Sequence, residues 1–404
     1  MEATHRSPHT RGRPAHHRRR LLIAPAVLAA LALLAAACNS GGDSDSTGSS
    51  DEKSTPADQP GATEEYVYPG ATWTEVTPEE ADVDPAVLQE MAELAKAAGS
   101  TCLVVTRDGE LVGEWYWDDT DASTPRELFS ATKSITAALV GIAHDRGELD
   151  ITEPASDYIT EWQGTDSEDV TIENLLSNDS GRYWDFTTDY IEMTNADDMT
   201  QFAIDLDQQF PPGTEWEYNN AAIQTLDEVL EQATGMNPGE YAQQYLFGPT
   251  GMDAEFGYDE VGNAVMYFNV SSNCESLARF GYLWLRDGEW DGEQVVSSEY
   301  VEASVTPTPT NSQYGYLIWL NRPGHWVGAG RSDNTKDEGD GIPTEGVPED
   351  IFRVSGLGGQ VSVGYPSSGI VFSRMGPTSP TPVPGVPDPV TELQRLAAEL
   401  PVGN

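Results

Sequence analysis

Regular spacing of apolar positions begins after residue 65. Over residues 85–98, Val87, Met91, Leu94 and Ala95 share a helical face, and Gly99 is suited to end the helix. Residues 101–117 read as two β-rich runs flanking Asp108-Gly109, a strong hairpin signal. Helical spacing returns over 128–147 (Ile135, Leu139, Ile142), with Gly147 as a stop. Residues 150–290 read mostly as short helices and loops. A helix start at 171–176 leads to Ser180-Gly181, and periodic helices follow at 219–235 (Ile223, Leu226, Val229, Leu230) and 271–287 (Leu277, Ala278, Phe280, Leu283). β character reappears at 314–320. The Gly-, Pro- and Asp-rich stretch 322–350 predicts a long loop. Strands at 360–365 and 369–374 are joined by Pro366-Ser367-Ser368, and a helix at 390–400 closes the chain. Strands therefore come from both chain ends while helices fill the middle. This predicts an α/β (α+β) fold: an antiparallel sheet from about 66–128 and 291–404, flanking helices, and an inserted, mostly helical part at about 129–290.

The first residues follow a different rule. Arg6, Arg11, Arg13 and Arg18 to Arg20 precede an apolar run of about 17 residues, shorter than the roughly 20 a spanning helix needs. A basic start, a short apolar run and small residues before Cys38 read as a signal peptide over 1–37. Leu34-Ala35-Ala36-Ala37-Cys38 resembles a bacterial lipobox, which makes Cys38 the expected lipidation site; the export route, Sec or twin-Arg, stays open. Residues 38–65 are rich in Ser, Gly and Asp and almost free of apolar side chains, as expected of a disordered acidic tether. The expected location is extracytoplasmic, with membrane contact only through the lipid.

Charge narrows the partners. The chain holds 21 basic and 67 acidic residues; removing 1–37 takes away six Arg and one Glu and leaves a formal charge of −51. Such a field repels nucleic acid. Beyond Cys38 only Cys102 and Cys274 remain, two thiols that make no zinc site and that pair only if their Cα atoms lie close.

Candidate chemistry follows from what is scarce. There is no Gly-x-Ser-x-Gly, no phosphate loop and no His-Glu-x-x-His. Four of six histidines fall within the first 17 residues, leaving His144 and His325. His144 lies fourteen residues after Ser130, about 21 Å along a helix axis. A serine nucleophile without histidine needs another base, and a buried lysine can serve. Of the four lysines (Lys53, Lys96, Lys133, Lys336), only Lys133 sits in an apolar helix, at i+3 from Ser130 and so on its face. A second Ser-x-x-Lys, Ser50 to Lys53, falls in the tether. A second feature is Pro211-Pro-Gly-Thr-Glu-Trp-Glu-Tyr218-Asn219-Asn220: Tyr218 offers a phenol to relay protons, and Asn220 an amide for Lys133 and a substrate carbonyl. Tyr267-Phe268-Asn269 is a rival Tyr-x-Asn without that lead-in. The third is Val354-Ser355-Gly356-Leu357-Gly358-Gly359-Gln360, whose glycines let a backbone or ligand approach, and whose amides are placed to form an oxyanion hole with Ser130.

In this order the three features resemble the serine β-lactamase and penicillin-binding superfamily over roughly residues 70–376. Leu128-Phe-Ser-Ala-Thr-Lys-Ser-Ile-Thr136, Leu175-Leu176 before Ser180-Gly181, and Leu277-Ala-Arg-Phe-Gly281 look like its class C branch, nearest the esterase and 6-aminohexanoate-dimer hydrolase group. The resemblance implies a β-lactamase-like fold with Ser130 as nucleophile, Lys133 as base, Tyr218 as proton shuttle and Asn220 as partner of substrate and Lys133. It implies the amides of Ser130 and Leu357 as oxyanion hole, and Tyr183, Trp184, Ser355, Gly356 and Gly358 along the substrate cleft. No metal or cofactor is implied. The third motif departs from the family: Val354 stands where a Lys or His is usual, and Arg353 falls on the alternate face of the strand. This favours an esterase or amidase acting on a small ester, amide or peptide over an efficient β-lactamase. A D-peptidase or β-lactamase acting on wall peptides or β-lactams, and a non-catalytic surface binding protein on the same scaffold, are the alternatives. Oligomeric state is not legible.

Overall fold

The computed structural model describes residues 66–379 and 381–402. The expected signal peptide, Cys38 and tether lie outside the described residues. The chain begins with strand β1 (Thr74–Glu75), then helix α1 (Pro85–Ala97), whose first turn is capped by Asp84 accepting from the amides of Ala86 and Val87. Strands β2 (Cys102–Arg107) and β3 (Glu110–Tyr116) form the expected hairpin. Its two turn residues, Asp108 (φ 51°) and Gly109 (φ 88°), are both left-handed, as the tight turn between twisted strands requires.

The middle of the chain supplies helices α2 (Thr132–Asp145), α3 (Ile172–Ser177), α4 (Asn220–Gln224), α5 (Leu226–Thr234) and α6 (Cys274–Leu285). The last part adds β4 (Trp319–Leu320), β5 (Gly324–Val327), β6 (Glu338–Gly341), β7 (Phe352–Gly356), β8 (Gln360–Tyr365), β9 (Ile370–Met375) and α7 (Pro389–Glu399). The central sheet runs β1-β3-β2-β9-β8-β7-β4, antiparallel except for β1 against β3. Strands from the two chain ends meet where β2 pairs with β9.

Side chains alternate across this sheet and bury both faces. Leu103, Val105, Val361, Val363 and Phe372 pack against Leu88, Met91 and Ala95 of α1 and Leu393, Leu396 and Ala397 of α7. Val104, Val354, Val371 and Met375 join the larger core with α2, α5 and α6. Helix α6 lies on the sheet itself: a Cβ on Gly281 would sit 2.3 Å from Ser362 Oγ. Cys102 on β2 and Cys274 at the start of α6 form a disulfide, with Cα atoms 6.4 Å apart.

Three expected elements differ. The helix expected from residue 128 is a 3₁₀ turn, Phe129–Ala131, followed by α2. The strand expected over 314–320 is reduced to β4, because Leu317 is left-handed (φ 55°) and its backbone is bonded to Leu176 O and Ser134 Oγ instead of a neighbouring strand. The expected loop 322–350 contains the antiparallel β5–β6 hairpin.

Candidate active site

The Ser130 segment is held from both sides. Leu128 N donates to Val270 O at 2.8 Å, and Thr132 Oγ1 accepts from Val270 N at 3.0 Å. Between them Phe129 is left-handed (φ 49°), a costly conformation for an aromatic residue. That bend starts the 3₁₀ turn and leaves Ser130 only partly buried. The other wall is strand β7. A Cβ on Gly356 would stand 2.0 Å from Leu128 O, so only glycine lets the strand lie against this segment.

One turn into the chain, Lys133 is 1% exposed. Its Nζ donates to Ser130 Oγ at 3.0 Å and to Tyr267 O at 2.8 Å. Burial lowers its pKa to about 7, while the nearby Asp189 charge works in the opposite direction. A neutral amine beside a serine hydroxyl can accept that hydroxyl's proton.

Tyr218 arrives on the loop leading into α4 and Asn220 is that helix's first residue, Asn219 capping it by accepting from Ala222 N at 2.8 Å. The Tyr218 ring sits among Trp216, Tyr314 and Trp319, with centroids at 6.3, 6.2 and 5.6 Å, and lies 4.7 Å from Lys133 Nζ. Burial raises its phenol pKa well above the usual value, against the pull of the Ser130 side chain and the Arg353 charge. The phenol is therefore protonated at neutral pH and can donate.

Sequence reasoning missed Asp189. It lies in a short π-helical stretch, Thr188–Glu192, and is fully enclosed. Asn220 Nδ2 donates to its Oδ2 at 2.7 Å and Ala221 N to its Oδ1 at 2.8 Å. Burial raises its pKa to about 7, opposed by the backbone N–H groups of Ala221 and Asn220, by Lys133 and by Trp184. Asn220, expected on Lys133, thus engages Asp189: the amide nitrogen faces the carboxylate because only a donor can. Nothing in the sequence separates this aspartate from its many acidic neighbours.

The expected substrate-side residues separate into two groups. Ser355 and Leu357 are partly exposed at the end of β7. Gly356 and Gly358 instead pack on the protein's own chain: Gly356 on Leu128, and Gly358 on Pro377, whose carbonyl would be 2.2 Å from a Cβ there. Trp184 is buried, its ring covered by Gly330. Tyr183 donates its hydroxyl to Asp185 at 2.7 Å. Tyr190, stacked on Phe186 at 4.8 Å, is close enough to Tyr218 and Asn220 to feel both. The rival Tyr267 is also here, but through its carbonyl; its hydroxyl is 3.3 Å from Thr194 Oγ1. Arg353 is partly buried on the α7 side of the sheet, as strand alternation implies, with Asp388 and Tyr365 as its foremost electrostatic partners. Its guanidinium lies 5.8 Å from the Trp319 ring and its charge acts on Tyr218. His144 packs against Tyr300 and His325 stands exposed beside Asp340. Among the described residues, no three His, Cys, Asp or Glu side chains gather to hold a metal ion.

The sequence model of the Beta-lactamase family matches residues 86–395, which takes in strands β2 to β9 and every side chain of this cluster. The chain belongs to the Beta-lactamase family. It is 26% identical over 241 residues to the 6-aminohexanoate-dimer hydrolase of Paenarthrobacter ureafaciens, covering 54% of this chain and 61% of that protein. In fold it is similar to a penicillin-binding protein homologue from Caulobacter crescentus, with a TM-score of 0.60 at 17% identity over 78% of this chain and 98% of that one. It is also similar to a family VIII carboxylesterase, with a TM-score of 0.58 at 16% identity over 78% and 96%. Membership in this family, with hydrolase relatives, gives the site a hydrolase setting.

Proposed function

We propose that the protein hydrolyses an ester or amide through a covalent acyl-enzyme on Ser130. The observation that carries this reading is the buried Lys133 amine 3.0 Å from Ser130 Oγ. Lys133 takes the hydroxyl proton as Oγ attacks the substrate carbonyl. The amides of Ser130 and Leu357 receive the developing oxyanion. Tyr218, protonated at neutral pH, gives a proton to the leaving alcohol or amine as the carbonyl re-forms, and the proton held by Lys133 replaces it. Water then attacks the acyl carbonyl, giving up its proton through the same phenol and amine, and Ser130 regains its hydrogen. Asn220, oriented by Asp189, faces the substrate carbonyl's surroundings.

Val354, buried where a cation would meet a β-lactam carboxylate, supports ester or amide substrates over β-lactams. We further propose that the enzyme works outside the cytoplasm, anchored through Cys38. The sequence of residues 1–65 supports this, and the Cys102–Cys274 disulfide suits an oxidising compartment.

The test is intact mass of the full chain after a fluorophosphonate, beside Ser130→Ala and Lys133→Ala. One adduct on wild type, absent from Ser130→Ala and slowed in Lys133→Ala, is expected. No adduct on folded wild type would turn the reading toward a binding protein, and nitrocefin turnover matching that of esters toward a β-lactamase.

A further inference from the structure

The β5–β6 hairpin is fastened differently along strand β5 and at its tip. Where β5 runs out into the tip, Asn311 brackets Val327, donating Nδ2 to its carbonyl at 2.8 Å and accepting from its amide at 3.1 Å. Gln313 Nε2 adds a bond to the same carbonyl at 2.7 Å, and Ser312 N donates to His325 O at 2.8 Å. Asn311 and Gln313 are buried. The tip, residues 328–337, has lighter ties, and they go to two separate loops. Asn334 Oδ1 accepts from Phe186 N at 2.9 Å, and Gly330 lies on the Trp184 ring, where a Cβ would come within 2.3 Å of the indole. Lys336 Nζ donates to Trp216 O and to Glu217 Oε2, both at 3.0 Å. The first loop carries Asp189 and Tyr190, and the second carries Tyr218 and Asn220.

A tip of ten residues that follows a buried clamp at Val327 and is tied to two separate segments by a few side chains can swing about that clamp, with the mostly covered Lys336–Glu217 pair (28% and 19% exposed) as its latch. We propose that the tip of this hairpin, residues 328–337, is a lid whose latch, Lys336 on Glu217, restricts the size of the acyl or leaving group that reaches Ser130. The inference rests on the reading of Ser130 as nucleophile. The closed lid favours small esters and amides, and bulky ones require the Lys336 and Asn334 ties to part. Gly330 fits the closed state because any side chain there presses on Trp184.

The experiment compares labelling rates of the full chain with an ethyl fluorophosphonate and with a long-chain, biotin-bearing one, in wild type, Lys336→Gln and Gly330→Ala. Lid opening predicts that both variants speed the bulky probe by about fivefold, a modest shift toward the open population, with the small probe little changed. A bulky-to-small ratio unchanged in both variants overturns the lid. If wild type reacts with neither probe, the nucleophile reading falls. The lid is then judged by hydrogen exchange of residues 183–190: faster exchange in Lys336→Gln supports it, and unchanged exchange overturns it.

Discussion

Lys133 reaches Ser130 from one turn further along the chain, its Nζ 3.0 Å from the hydroxyl oxygen, with the amine enclosed and the hydroxyl partly open to solvent. Burial lowers the lysine pKa to about 7. Below that pH the amine holds its proton and cannot take another from Ser130; above it, it can. The labelling rate of Ser130 is therefore expected to rise tenfold per pH unit below about 7 and level off above. Lys133→Ala is expected to lower the plateau by about 10²–10⁴ and abolish the step. A wild-type profile that is flat from pH 6 to 8 would remove Lys133 from the role of base.

Tyr218 predicts a dependence on the leaving group. Its raised pKa keeps the phenol protonated, and it stands beside both Ser130 and Lys133. A nitrophenolate departs without a proton, whereas an amine does not. Tyr218→Phe is thus expected to lower amide turnover by about 10²–10⁴ and to slow acylation by a nitrophenyl ester far less. Acylation rates, read from the burst phase, on a matched ester and amide check this. Equal losses of the acylation rate on both would remove the phenol from protonating the leaving group.

Gly356 predicts a loss that is steric in origin. A methyl group there meets Leu128 O and, at 3.1 Å, Ala131 N, backbone atoms that cannot step aside as a flexible side chain can. Gly356→Ala is expected to cost about 1–3 kcal/mol of stability and to displace Ser130 from the Leu357 turn. The urea midpoint and the fluorophosphonate rate should both fall. An alanine variant with wild-type rate and midpoint would show that the segment has room to shift.

What could be read in the sequence was what local chemistry decides. The hairpin at Asp108-Gly109 needs two left-handed residues and has them; α1 begins at its Asp cap and Pro and ends before Gly99. The closeness of Ser130 and Lys133 follows from i,i+3 geometry. The remainder depended on tertiary contacts. Asp189 meets Asn220 across 31 residues, and one acid among 67 carries no mark of its burial. Tyr267 serves Lys133 through a carbonyl, which every residue type possesses. Trp184 read as an aromatic facing the cleft, but Gly330 covers it. The strands β5 and β6, Gly-His-Trp-Val and Glu-Gly-Asp-Gly, lack apolar alternation, and β5 is held at Val327 by Asn311 and Gln313 from outside the segment.

Asp189 gives the prediction that separates charge from shape. Its carboxylate raises the Lys133 pKa against the effect of burial, and its two oxygens hold the Asn220 amide and the Ala221 N–H. Asp189→Asn keeps the size of the side chain and removes the charge. The lysine then loses the group that favours its protonated form, so the pH step in Ser130 labelling is expected to move to lower pH. The same substitution places an amide opposite the Asn220 amide, so one of its two hydrogen bonds is weakened and substrate positioning should suffer, read as a raised KM. A step that stays in place while KM rises would make Asp189 a positioning group for Asn220 only. A step that moves to higher pH would contradict the assigned electrostatics, because removing a negative charge cannot strengthen a lysine's hold on its proton.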